Sequence, residues 1–192
     1  MHKVVTAVAT EPLLLAEARL HIKADSDTTE DSLLTAWITA AREIAEHYTG
    51  RALAPQTLEL ALDEFPGAEY DEDTEYKFIY LPMPPVVSIT SVKYTDTAGT
   101  EQTIGSSNYS LSAYGEANRL SAAYGYFWPT PQDIPDAVRI RYVTGYTTAP
   151  KAVKAALQLM VAWFNEHRGS EMDPSDIQPP AAKALLNTIK VW

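Results

Sequence analysis

The sequence predicts an α+β protein with N-terminal helices, a central antiparallel β-rich insertion, a long apolar helix and a short C-terminal helix. Three observations predict it. Apolar residues recur at helical spacing towards both ends, they alternate with polar residues through the middle, and prolines and glycines cluster where the period changes. Strands grouped apart from helices define α+β rather than alternating α/β. A chain of 192 residues suits one structural unit with an elaboration. Its parts are an N-terminal helical part, 1–54; a β-rich insertion, 55–149; a core helix packing with the N-terminal helices, 150–168; and a linker with a C-terminal docking segment, 169–192.

The opening "MHKVVTAVATEP" places Lys3 before the apolar run Val4–Ala9, which is too short for the core of a signal peptide and reads as an arm. Thr10 and Pro12 then suit a helix start, with Leu13, Ala16, Leu20 and Ile22 on one side. Thr28 or Thr29 caps the next helix, where Leu33, Leu34, Trp37, Ile38, Ala41, Ile44, Ala45 and Tyr48 keep helical spacing up to Gly50. Arg42 and Glu46 form an i,i+4 pair on its other face. In "QTLELALDEF" the period becomes two, with Leu58, Leu60 and Leu62 on one face. Short strands follow in "KFIYLP", "VVSITSVKYTD", "EQTI", "NYSLSAY", "NRLSAAY" and "AVRIRYVTGY". Pro82, Pro84 and Pro85 exclude a central strand at the entry to "VVSITSVKYTD", and its broken alternation predicts a bulge or bend near Thr90 and Ser91. After Pro150, "KAVKAALQLMVAWFNEHR" is apolar around most of a helix and needs cover on nearly every side. "GSEMDPSDIQPP" is a linker, and "AAKALLNTIKVW" a last short helix.

The composition narrows the function. At 46% hydrophobic the chain can bury a sizeable core, and without cysteine it has no disulfide or thiolate zinc site. With 15 Lys and Arg against 25 Asp and Glu, the formal charge of -10 disfavours tight phosphate-backbone binding and suits a conduit through which DNA slides. No apolar run is long enough to span a membrane.

The search for chemistry yields no catalytic residue, no cofactor-binding residue and no metal site. Asp63, Glu64, Glu69, Asp71, Glu72, Asp73 and Glu75 offer oxygen ligands but lack the EF-hand spacing, and read as a solvated loop. Glu43 and His47 sit at i,i+4 without a third ligand. A metal-dependent hydrolase using the 63–75 acids with His47 is the enzymatic reading to be tested. His21, His47 and His167 lie near helix ends, where a cation meets the dipole favourably. Neither G-x-S-x-G nor a glycine-rich phosphate loop occurs. Tyr124, Tyr126, Phe127 and Trp128 could stack bases, but aromatic packing or a protein contact fits them better.

Taken collinearly, "LLLAEARLHIKADSDTTEDSLLTAWITAAREIAEHYTGRAL", "LPMPPVVSITSVKYTDTAGTEQTI", "NYSL…NRL…YFWP" and "VRIRYVTGYTTAPKAVKAALQLMVAWFNEHR" resemble the head–tail connector (adaptor) proteins of long-tailed double-stranded DNA phages and prophages. The likeness is to the variety with a β-rich insertion, and it covers most of residues 10–168. It implies a non-enzymatic virion protein of the neck, made in the bacterial host cytoplasm. Its partners would be the portal protein, a neck stopper or tail-completion protein, and copies of itself in a ring, typically dodecameric. Genomic double-stranded DNA would pass through the lumen without sequence-specific binding, and no membrane and no cofactor would be involved. Leu185, Leu186, Ile189 and Trp192 are the candidate portal-docking residues, against the alternative that this helix folds on its own core. Leu159, Trp163, Tyr126, Phe127 and Trp128 are the candidate subunit-interface residues. The competing reading is a DNA-packaging accessory or DNA-binding regulatory protein, which requires a basic face.

Overall fold

Residues 2–24, 28–66, 78–112, 118–168 and 178–191 are described in a computed structural model. The chain forms two compact units, one of Met1–Ala7 with Pro55–Gly145 and one of Val8–Ala54 with Tyr146–Trp192. The class is α+β, with four helices and antiparallel sheets.

The helical unit contains α1 (Leu15–His21), α2 (Asp31–Thr49), α3 (Lys151–Glu166) and α4 (Pro180–Leu186). Helix α1 starts later than the sequence predicts, at Leu15, where Glu17 accepts the Leu14 N–H at 2.9 Å and so satisfies one free amide of the first turn. Its buried side is Leu13 and Ala18, while Leu20 is exposed, contrary to the expected stripe. The apolar face is turned from the expected one: Leu15, Ala18 and Ile22, at i, i+3 and i+7, pack on the core, which leaves Leu20 on the far side. Helix α2 follows the predicted spacing, burying Leu34, Ile38, Ala41 and Ala45, and ends at Gly50 with φ 68°, a conformation natural to glycine.

The long helix apolar around most of its circumference is not found. Helix α3 has 16 residues and one buried face of Val153, Ala156, Leu157, Met160 and Val161. It packs against α1, α2 and α4, so its apolar surface is covered within its own unit and calls for no neighbouring subunit. Pro180 opens α4 at a position where its missing N–H is harmless. The chain after α4 is tied to the end of α2: Val191 N–H donates to Thr49 O at 2.9 Å, and Arg51 Nε donates to the Ile189 carbonyl.

Arg42 and Glu46, expected on an exposed face, are both buried. Arg42 donates to Glu46 at 2.6 Å and to Glu11 at 2.8 Å, and Glu46 also accepts the Leu53 N–H at 2.8 Å. Arg42 and Glu46 together thus join the segment before α1, helix α2 and the segment after it.

The β unit has a five-stranded sheet in the order β1-β2-β8-β4-β5 and a three-stranded sheet in the order β3-β7-β6, every pairing antiparallel. The strands are β1 (His2–Thr6), β2 (Gln56–Leu62), β3 (Ile79–Tyr80), β4 (Val86–Thr95), β5 (Glu101–Ile104), β6 (Tyr109–Ser112), β7 (Arg119–Ala122) and β8 (Val138–Thr144). The residues read as an arm therefore form an edge strand against β2. Leu58, Val92, Ile140 and Tyr142 of the larger sheet share one buried cluster with Ile79 and Leu120 of the smaller.

The proline segment before β4 is held by the end of β8. Tyr142 donates to Pro82 O at 3.0 Å, Thr144 Oγ1 donates to Pro85 O at 2.9 Å and to Met83 O, and Gly145 N–H donates to Pro85 O at 2.9 Å. Prolines bring no N–H to a sheet, so this segment cannot run as a regular ladder, and its carbonyls are met by the Tyr142 and Thr144 hydroxyls and the Gly145 N–H. Burial pushes the Tyr142 phenol well above its ordinary pKa, which keeps it a donor. The β4 register slips between Ile89 and Ser91, where the alternation of the sequence breaks.

Two outcomes follow. Arg42→Met leaves Glu46 buried without its cation and destabilises the helical unit by about 3 kcal/mol, read by hydrogen exchange of the α2 amides. Thr144→Val removes the one hydroxyl proton shared by the Met83 and Pro85 carbonyls, leaving Pro85 O its Gly145 N–H, and costs the β unit about 1–2 kcal/mol in urea denaturation, while Thr95→Val, at a half-buried strand end, costs less than about 0.5 kcal/mol.

Candidate functional site

Among the described residues no group of three or more His, Cys, Asp or Glu is placed to hold a metal ion. Asp63 and Glu64 belong to the β unit and His47 to the helical unit; Glu69, Asp71, Glu72, Asp73 and Glu75 lie outside the described residues. No described helix is long and apolar enough to cross a membrane. The groups that remain are surfaces.

The connection from β7 to β8 carries the aromatic group. Gly125, at φ 79°, turns the chain there, with Tyr126 N–H donating to Ala123 O at 2.9 Å. This turn sorts the side chains. Trp128 stacks on the buried Phe65 at 4.7 Å between ring centres, and Tyr126 meets Trp128 edge-on at 6.3 Å. Tyr124 and Phe127 point to solvent, Phe127 at 82% exposure. Of the candidate interface aromatics, then, two are packed into the β core and one stands free of it.

The other candidates lie in the helical unit. Leu159 is half-buried against its core, and Trp163 stacks on His167 at 3.8 Å. Leu186 is completely buried, Leu185 and Ile189 pack beside it, and Trp192 lies outside the described residues. Helix α4 is folded on its own core.

The outer face of the five-stranded sheet is a feature the sequence reading did not assemble. Register sets Lys3 beside Glu59 and Glu59 beside Arg141, and one step along sets Arg139 beside Lys93. Glu59 lies between two cations, 2.8 Å from Lys3 and 2.8 Å from Arg141. Glu101 repeats the pattern, 2.7 Å from Lys93 and 2.6 Å from Arg139. The Lys3 hydrogen bond holds the Glu59 carboxyl below its ordinary pKa against the opposing effect of burial, and Arg141 adds to it. Lys93, then Arg139, lower Glu101 in the same way. A cleft of about 340 Å³ opens on this face between Lys3, Glu59, Ala61, Asp136 and Arg139. A second, of about 480 Å³, is lined by Asp63, Glu64, Thr130 and Asp133. Arg139 and Arg141 alternate with apolar residues in "AVRIRYVTGY", but which carboxylates they meet depends on pairing with distant strands.

No family model matches the chain, and no curated protein matches it. Solved structures do. A chain from the virion of a native gene transfer agent (GTA) particle is 25% identical, with a TM-score of 0.73 over 100% of this chain and 96% of that one. A chain from the neck of the empty GTA particle, computed with C6 symmetry, is 23% identical with a TM-score of 0.76 and the same coverage. A chain from the neck of the native particle, computed with C12 symmetry, is 25% identical with a TM-score of 0.71. Structural neighbours of the whole chain thus include chains of a virion and of its neck.

Because the folded Glu59 pKa is depressed, its contribution to stability is full above the unfolded carboxylate pKa and is lost as pH falls through the folded one. Glu59→Gln therefore lowers stability near neutral pH by about 1 kcal/mol or less and flattens the loss on acidification, in thermal melts from about pH 7 to about pH 3.

Proposed function

We propose that the chain is a structural, non-enzymatic protein of a virion neck, a head–tail connector (adaptor). In this reading its copies form a ring under the portal, extend the DNA channel and seat the next neck or tail component. The observation that carries it is end-to-end likeness to GTA virion and neck chains, covering 100% of this chain and 96% of theirs, rather than a shared fragment. The C6 and C12 symmetry of those neck structures supports several copies around an axis, with twelve as the number to test. The net charge of -10 supports passage of DNA without adhesion. The portal protein, a stopper or tail-completion protein and genomic DNA in the lumen are the proposed partners, and the virion neck is the proposed location.

The burial of Leu186 favours docking by surfaces other than α4. The test is co-expression with the portal protein of the same genome, followed by electron microscopy. Rings of this chain seated on portal rings, with density continuing the channel, are the expected result. A chain that neither binds the portal nor enters assembled particles would overturn the reading. The metal-dependent alternative requires that replacing Asp71 and Asp73 with Asn abolish metal binding, and unchanged calorimetry would end it.

A further inference from the structure

The β unit is acidic, yet its cations are gathered in one place. Met1–Ala7 and Pro55–Gly145 contain six Lys and Arg and thirteen Asp and Glu, a net of -7. Four of those six, Lys3, Lys93, Arg139 and Arg141, stand on the outer face of the five-stranded sheet. Three carboxylates, Glu59, Glu101 and the cleft-lining Asp136, accompany them, so four positive and three negative charges leave the face at +1. The rest of the chain then carries -11, since -10 less +1 is -11. Glu59 and Glu101 each already have two cations, and each of these triads keeps one positive charge in excess. These side chains stand on paired strands and are held in place by their shared carboxylates, which lowers the ordering cost of a contact.

We propose that this sheet face is a contact surface for a second copy of this chain, whose cleft lined by Asp63, Glu64 and Asp133 lies against it. The inference rests on the reading of the chain as a ring subunit. Charge complementarity selects the occupant. The cleft presents three exposed carboxylates and, among the described residues, no Lys or Arg forms an ion pair with them. The two patches adjoin where Asp63 accepts the Asp136 N–H at 2.9 Å, and the ring reading calls for the head-to-tail form of their contact, which closes into a ring where the rotation between copies closes and otherwise runs on as a filament. Duplex DNA is the weaker occupant. It presents a phosphate about every 1.7 Å of axis, and a face with one excess charge on a strongly acidic chain releases few counterions. Protein–protein recognition needs less: complementary patches of modest charge steer encounter and fix register.

The absence of native cysteine makes the contact directly readable. Thr103 stands across from Lys93 on β5, and Thr130 lines the acidic cleft; both are exposed. Full-length Thr103→Cys and Thr130→Cys chains, with circular dichroism matching the parent, are mixed and oxidised at about 50 mM and about 0.5 M NaCl, alone and as rings on portal protein. The expected result is a mixed disulfide severalfold above either homodimer at low salt, with the excess lost at high salt. Adding Lys93→Gln and Arg139→Gln to the Thr103→Cys chain should also remove the excess. Portal-seated rings with no excess of mixed disulfide would overturn this contact while leaving the neck function standing. A mixed excess without portal binding would keep the contact and remove the neck reading. Retardation of duplex DNA that the same two glutamines abolish, without a mixed excess, would make the face a nucleic-acid surface and overturn the proposal.

Discussion

Strand β8 keeps a period of two without interruption, and both faces of the β unit depend on it. Val138, Ile140 and Tyr142 point into the core, Arg139 and Arg141 point out, and Thr144 ends the strand by binding the proline segment. A slip of one residue would put two guanidinium groups in the core and a buried tyrosine in water. The strand pairs with β2 on one side and β4 on the other, so its register aligns Glu59 and Lys93 with its arginines. The irregularities of β4 lie away from the Lys93 end, which leaves the charged triads on regular ladder.

The helical unit is organised by a buried charge instead. Burial works against the Arg42 cation, but Glu46 and Glu11 outweigh it and raise its pKa above the ordinary value. Such a pair contributes less to net stability than to uniqueness, because any other arrangement of these segments would strand a charge away from water. The Arg42 contacts fix the segment before α1 against α2, and Arg51 on the Ile189 carbonyl ties the chain after α4 to the end of α2.

Much of this was legible in local pattern. Gly50 marked the end of α2, the leucines of β2 marked a half-buried strand, and the broken alternation near Thr90 marked the slip in β4. What failed was whatever depends on distant segments. The Arg42–Glu46 spacing gave a surface pair because nothing near it in sequence announces that Glu11 and Leu53 close over it. Helix α3 read as over-apolar because α1, α2 and α4 supply its cover from far along the chain. The first residues read as an arm because their partner strand begins some fifty positions later, at Gln56. The charged sheet face was invisible for the same reason: its residues come from five strands, and only register brings them together.

The strand order has a consequence for how the protein is made. β8 lies between β2 and β4, yet it is the last strand of the sheet to leave the ribosome. Until then the only pairings of this sheet that can form are β1 with β2 and β4 with β5, two-stranded pieces that would each present an open hydrogen-bonding edge and an apolar face. Such pieces are marginal in water and prone to pair with other chains. Completion of the sheet therefore waits for synthesis of residues 138–144, and a pause or truncation upstream of them leaves nascent chains exposed to aggregation rather than half-folded in a useful form.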